Sequence, residues 1–104
     1  VGATDGGGRS ALYIACGKGH LEFAQLLLEA SAAVNQMDNG VTPLYIACQQ
    51  GHVELARLLL EASAAVNQAD AHGVTPLYIA CQEGHVDVAR LLLEAGAAVE
   101  QVTT

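Results

Sequence analysis

The sequence predicts an all-α fold, a solenoid of three helix-turn-helix repeats joined by short hairpin-like turns. Three observations carry this. First, Leu12-Tyr13-Ile14-Ala15-Cys16 returns as Leu44-Tyr45-Ile46-Ala47-Cys48 and again as Leu77-Tyr78-Ile79-Ala80-Cys81, at offsets of 32 and 33 residues. Second, the identity extends well beyond those five positions. Gly40–Asp70 laid over Gly73–Thr103 agrees at 24 of 31 positions, and Gly8–Asp38 laid over Gly40–Asp70 at 22 of 31. Third, each copy holds two apolar helical patterns, each bounded by its own start and stop signals.

The middle copy shows those signals best. The Thr42 hydroxyl suits a helix N-cap, where it accepts an orphan backbone N–H. Pro43 follows at the first helical position, where its missing N–H costs nothing. Gly51 stops the first helix by taking the left-handed conformation. Glu54 lies in the first turn of the second helix, on the favourable side of the dipole, and Arg57 and Glu61 are spaced as an i,i+4 pair. Val53, Leu55, Ala56, Leu58, Leu59 and Leu60 make an apolar stripe wider than one face needs. A helix covered by neighbours on both sides needs that width. Helices are expected near 10–17, 20–30, 42–50, 52–62, 75–83 and 85–95. The chain reads as one domain, 1–104, with repeats about 5–37, 38–69 and 70–102.

Composition removes several function classes. The net charge is −7, and the only cations are Arg9, Lys18, Arg57 and Arg90. Four dispersed cations among eleven acids make no phosphate-binding footprint, which argues against nucleic acid and an anionic membrane surface. An acidic surface favours a basic partner. No apolar run reaches the roughly 20 residues of a spanning helix. Val1-Gly2-Ala3-Thr4 lacks the pattern of a signal peptide, and the absence of an initiator Met suggests a processed or excised piece. With three Cys, this points to a reducing, intracellular compartment, cytoplasmic or nuclear.

Three recurring Cys and His pairs invite a chemical reading. Cys16/His20, Cys48/His52 and Cys81/His85 share a spacing that would place a nucleophile–base or metal pair on one helix face. Gly19, Gly51 and Gly84 interrupt the helix between them. Equivalent side chains of stacked units also stand about 8–10 Å apart, too wide for one zinc ion or a disulfide. The three cysteines are therefore expected to be reduced, metal-free and buried in Ala-sized slots. No catalytic triad assembles: Ser10 reads as an N-cap, and Ser31 and Ser63 as turn residues. Asp5-Gly6-Gly7-Gly8 follows no strand and lacks the Gly-Lys-Ser/Thr ending of a phosphate loop. No enzymatic activity and no cofactor are expected. The three Tyr in register, Tyr13, Tyr45 and Tyr78, fit either a partner-binding stripe or rings packed between units with hydroxyls reaching the turn. Repeat geometry alone explains their register, which favours the second.

These residues resemble the ankyrin repeat, whose unit of about 33 residues carries Thr-Pro-Leu-His-x-Ala. Thr75-Pro76-Leu77-Tyr78-Ile79-Ala80 matches apart from Tyr for His. Gly84-His85-Val86 is similar to the family's link between helices, Leu91-Leu92-Leu93-Glu94-Ala95-Gly96-Ala97 to the end of its second helix, and Asp70-Ala71-His72-Gly73 to its hairpin lead-in. The departures are as informative. Tyr replaces the usual His in all three copies, which puts the family's Thr–His hydrogen bond in question. Ser31 and Ser63 replace the usual Gly, Ala33, Ala65 and Ala98 the usual Asp, and the turn Asp38-Asn39-Gly40 is one residue short. These irregularities argue against an idealised consensus design.

The resemblance implies a protein-binding module that meets its partner on a concave face, made of the hairpin tips and the inner side of the first helices. It also implies that the His residues bond to backbone in the loops between units. The matching positions of that face are Arg9, Gly17 and Lys18, then Asn39, Val41, Gln49 and Gln50, then Ala71, His72, Val74, Gln82 and Glu83. No aromatic or Arg anchor cluster appears among them. The alternatives are a structural spacer or self-associating fragment of a longer array, or a designed scaffold with no natural partner. Arrays of this kind need polar outer faces on their terminal repeats. Val86, Val88, Ala89, Leu91, Leu92 and Leu93 in the last unit, and Leu21 and Phe23 in the first, are no more polar than the middle unit. Excision from a longer array or weak end-to-end self-association, strengthened as salt screens the acidic charge, is the expectation.

Overall fold

The computed structural model describes residues 10–37 and 40–99. Among them are six helices: α1 (Ala11–Lys18), α2 (Leu21–Glu29), α3 (Pro43–Gln50), α4 (Val53–Glu61), α5 (Pro76–Gln82) and α6 (Val86–Glu94). Each expected helix is present within one residue at either end. The single-residue bridge positions Ser10 and Val41 are the only extended pairing among the described residues.

The caps work as the sequence predicts. Ser10, Thr42 and Thr75 each accept a hydrogen bond from the backbone N–H three residues on, at Tyr13, Tyr45 and Tyr78, all at 3.1 Å. The threonine hydroxyls thus spend their acceptor capacity on the helix start, with Tyr in the place of the family's His. Gly51 closes α3 at φ 77°, and its N–H reaches the carbonyls of Ala47 and Cys48. The reversal ends with His52 N on Ala47 O at 2.9 Å, so the second helix runs back antiparallel to the first.

The helices form two layers. First helices stack in the order α1, α3, α5, and second helices in the order α2, α4, α6. The first layer meets through small side chains: Ala15, Cys16, Ala47, Cys48 and Ala80 are all buried. The second layer meets through leucines, with Leu55 and Leu59 at its centre and Leu27, Leu28, Leu58, Leu60 and Leu91 packed around them. Interaxial distance follows the side chains at the contact. Small residues let the first helices approach closely, and leucines hold the second helices apart. The stack therefore curves, with the first helices on its inner side.

Two expectations need correction. Cys16 and Cys48 are fully buried, but Cys81 is exposed. The slot that buries Cys16 and Cys48 is completed by the first helix of the next repeat, and among the described residues none packs on that side of α5. Arg57 also pairs differently. Its nearest carboxylate is Glu54, at 3.8 Å in an i,i+3 contact, and Arg90 and Asp87 repeat the arrangement at 3.9 Å. Both pairs are largely exposed, where such contacts contribute little.

After each second helix the chain turns through a left-handed residue, Ser31 at φ 68°, Ser63 at φ 71° and Gly96 at φ 90°. The turn at Ser63 sets Ala64 N on Leu59 O at 2.9 Å. Serine carries a Cβ into a conformation that costs on the order of 1 kcal/mol. Ser31→Gly and Ser63→Gly should therefore each stabilise the protein by about 0.5–1 kcal/mol, part of the relieved strain being offset by a freer unfolded chain. Urea unfolding midpoints check this, and midpoints that stay put or fall would refute it. Burial also pushes the thiols of Cys16 and Cys48 up to about 12. Thiol titration of the native protein should find Cys81 reacting at once, with Cys16 and Cys48 reacting only on unfolding.

Candidate functional site: the inner face of the stack

The inner face is held by polar ties between repeats. Asp70 organises the hairpin before α5. Its Oδ1 accepts from His72 N at 2.8 Å and Val74 N at 3.0 Å, and its own N–H donates to Val74 O at 2.9 Å. Its Oδ2 accepts from the Tyr45 hydroxyl of the preceding repeat at 3.1 Å. Tyr45 is buried between units, so its ring packs and its hydroxyl fixes the next hairpin tip. For Tyr45 this supports the structural reading of the tyrosine register.

Two further ties lie deeper along the stack. His52 Nε2 donates to Gly17 O at 3.4 Å, and His85 Nε2 donates to Gln49 O at 3.0 Å. A carbonyl only accepts, so both rings carry a proton on Nε2. The rings also press on the loop they cross: a Cβ at Gly51 would stand 2.8 Å from His85 Cε1. The histidines thus fill the backbone role that the resemblance implies. Sequence reasoning missed the third tie. Asn35 Oδ1 accepts from Ala65 N, and Asn67 Oδ1 accepts from Ala98 N, both at 2.9 Å. The signal was present as Asn at the same register in two copies.

A family model described as "Ankyrin repeats (3 copies)" matches residues 1–70 and 33–103. This chain belongs to the ankyrin repeat family. No curated protein matches it. Ankyrin repeats are generally protein–protein interaction modules, and the fold is a non-enzymatic one.

The candidate positions fall at both ends of the first helices of the ankyrin stack. Lys18, Gln49, Gln50, Gln82 and Glu83 sit at or just past the C-termini of α1, α3 and α5, all exposed except half-buried Gln49. Val41 and Val74 are half-buried just before the N-caps Thr42 and Thr75, and Ala71 and His72 are exposed at the hairpin tip. Arg9 and Asn39 lie outside the described residues. Gly17 and Gln49 do double service, because their carbonyls receive the histidine ties. Among the described residues no group of three or more His, Cys, Asp or Glu stands close enough to hold a metal ion, and no helix is long and apolar enough to cross a membrane.

The Tyr45–Asp70 bond has a pH signature. Burial first, and the bond to Asp70 second, push the Tyr45 phenol up to about 12. Desolvation alone would raise the Asp70 carboxyl, but the hydrogen bonds from Val74, His72 and Tyr45 together hold it below its ordinary range. A depressed carboxylate contributes stability above its unfolded-state pKa and loses it as pH falls through the folded value. The raised phenol contributes below about pH 10 and loses its share as pH rises through about 12. Tyr45→Phe should cost about 1 kcal/mol at neutral pH. Tyr78→Phe should be near neutral, since Tyr78 is 46% exposed. Asp70→Asn should flatten the acid side of the stability profile. Equal costs for Tyr45→Phe and Tyr78→Phe in denaturant unfolding would contradict this account.

Proposed function

We propose that this ankyrin stack is a recognition module that grips a partner protein on its inner face. The contact positions are Lys18, Val41, Gln49, Gln50, Ala71, His72, Val74, Gln82 and Glu83, with Arg9 and Asn39 extending the same rows. One observation carries this. The frame repeats almost unchanged, while the residues at these surface positions change between the first copy and the other two, and at Gln50 and Glu83 again between the second and the third. Arg9, Val41 and Val74 are counterparts, as are Gly17, Gln49 and Gln82, and as are Lys18, Gln50 and Glu83. Caps, tyrosines, cysteines and leucines at the core positions vary far less. A scaffold that keeps its packing and changes its inner surface is built to present a pattern.

The pattern is polar and lightly charged. Gln49, Gln50 and Gln82 offer amide donors and acceptors together, and Lys18 and Glu83 put opposite charges at the two ends of the row. The partner surface is accordingly one that exchanges hydrogen bonds, with basic character favoured by the net charge of −7. Gln49→Arg with Gln82→Arg on the inner face, and Glu54→Lys with Glu61→Lys on the outer face, separate recognition from non-specific attraction. A specific partner captured by the wild type should be lost to the inner-face variant and kept by the outer-face variant, with stability unchanged in both. Equal loss from both, or from neither, would refute the assignment.

A further inference from the structure

The charge of this chain is divided unevenly between its two faces. Six of the eleven acids, Glu22, Glu29, Glu54, Glu61, Asp87 and Glu94, stand exposed on the second helices. Arg57 and Arg90 share that outer face and turn to Glu54 and Asp87. The excess negative charge lies mainly there. The inner face carries a graded pattern instead. Lys18, Gln50 and Glu83 occupy one register position, at the ends of α1, α3 and α5. Along the stack this row reads positive, neutral, negative. Its exposure is a property of the face, because Gln50 is exposed although α3 has a first helix packed on each side.

Helix packing sets the length of this pattern. Packed helices stand roughly 8–10 Å apart, so Lys18 and Glu83, two steps apart, are separated by about 16–20 Å. A second carboxylate deepens the negative end. Asp70 holds the hairpin before α5, and the charge of Glu83 bears on the same Tyr45 phenol that Asp70 binds. Between the charged ends lie Gln49, Gln50 and Gln82. No other group of the chain takes up their side-chain amides, and each amide offers donors and an acceptor together. An extended backbone has unpaired N–H and C=O groups to meet them, whereas a helix has spent its own. A helix would also need an apolar groove for its anchors, and these rows present amides, charges and small side chains. At about 3.3 Å per residue, an extended chain spans the distance from Lys18 to Glu83 in about five or six residues.

We infer that the occupant of the inner face is an extended segment of the partner with an acidic and a basic residue about five or six positions apart, the acid beside Lys18 and the base beside Glu83. This rests on the inner-face reading above and narrows it. The uncharged middle of the segment exchanges backbone hydrogen bonds with Gln49 and Gln82. The overall charge of −7 attracts basic partners from a distance, and the graded row decides which way round a segment lies. A segment basic along its whole length meets a like charge at Lys18, so the face selects against it.

A library of random 12-residue peptides displayed on phage, panned against the whole chain, tests this. The recovered peptides should carry an Asp or Glu and a Lys or Arg about five or six positions apart, and Gln49→Arg with Gln82→Arg should abolish their binding. Charge rescue then assigns the two ends, with affinities read by fluorescence anisotropy on a synthetic copy of a recovered peptide. Lys18→Glu should weaken binding roughly threefold to tenfold, and replacing the peptide's acid by Lys should restore it. Glu83→Lys should weaken it likewise, and replacing the peptide's base by Glu should restore it. Both positions are exposed, and circular dichroism checks that each variant keeps the helical fold. Recovered peptides without the acid–base pair, or a failed rescue at either end, would overturn this inference. The inner-face reading would survive that result as long as Gln49→Arg with Gln82→Arg still abolishes binding. A library that yields no binder would also overturn the inference, because a segment this short should bind unaided. Peptides that hold the wild type and the Gln49→Arg, Gln82→Arg variant alike would overturn both readings.

Discussion

One repeat of this chain cannot bury its own apolar surface. Two helices of eight or nine residues leave both flanks of the pair open, and helices this short are marginal in isolation. Stability therefore resides in the contact between repeats. That contact has two different thicknesses. It is thin where Ala47 and Cys48 meet the neighbouring first helices, and thick where Leu55 and Leu59 separate the second helices. The wedge is written into side-chain volume, and it sets both the curvature and the side on which an inner face exists. A larger residue at Cys48 would open the thin side and flatten the curve before it touched any binding position.

Apolar contact fixes the spacing of the repeats but leaves them able to slide, since rows of leucine fit one another in more than one register. The polar ties remove that freedom. Tyr45 to Asp70, His85 to the Gln49 carbonyl and Asn67 to Ala98 N tie the hairpin tip, the loop between helices and the turn after the second helix to the neighbouring repeat. Each is worth on the order of 1 kcal/mol, small beside the buried leucines. Each acts at a point where a one-residue slip would break it. The tip that carries Ala71 and His72 is held from within by Asp70 and from the preceding repeat by Tyr45, so the candidate contact residues sit on a positioned loop.

The sequence made the fold legible because its signals are local and repeated. The N-caps Ser10, Thr42 and Thr75, the left-handed Gly51 and the left-handed serines all act within a few residues of themselves, so a single chain suffices to read them. The structure departs from local pattern in three places, each for its own reason. Cys16, Cys48 and Cys81 each follow the same Leu-Tyr-Ile-Ala, yet burial depends on whether a neighbouring helix packs beyond them, and no local pattern encodes that. Arg57 has Glu54 on one side and Glu61 on the other, and side-chain rotamers rather than spacing chose the first. The Asn35 and Asn67 ties were visible only as a recurring letter in a turn, because their partners lie 30 and 31 residues away. For the inner face, sequence register located the positions but not their burial, and half-buried Val41, Val74 and Gln49 separate from exposed Lys18, Gln50, Gln82 and Glu83 only once the stack is assembled.

Repetition has a further physical consequence. A repeat that stacks well on the next must have two complementary sides, and a chain of near-identical repeats therefore carries that complementarity at its outermost sides as well. Polar substitution is the usual way to blunt it, and Phe23, Leu26, Leu93 and Val99 are not polar. The exposed positions of the inner face are freer. Lys18, Gln50, Gln82 and Glu83 stand exposed at or just past the C-termini of the first helices, so their side chains can change without disturbing spacing or register, provided the carbonyls of Gly17 and Gln49 stay in place. Half-buried Val41 and Val74 pack against the core and lack that freedom.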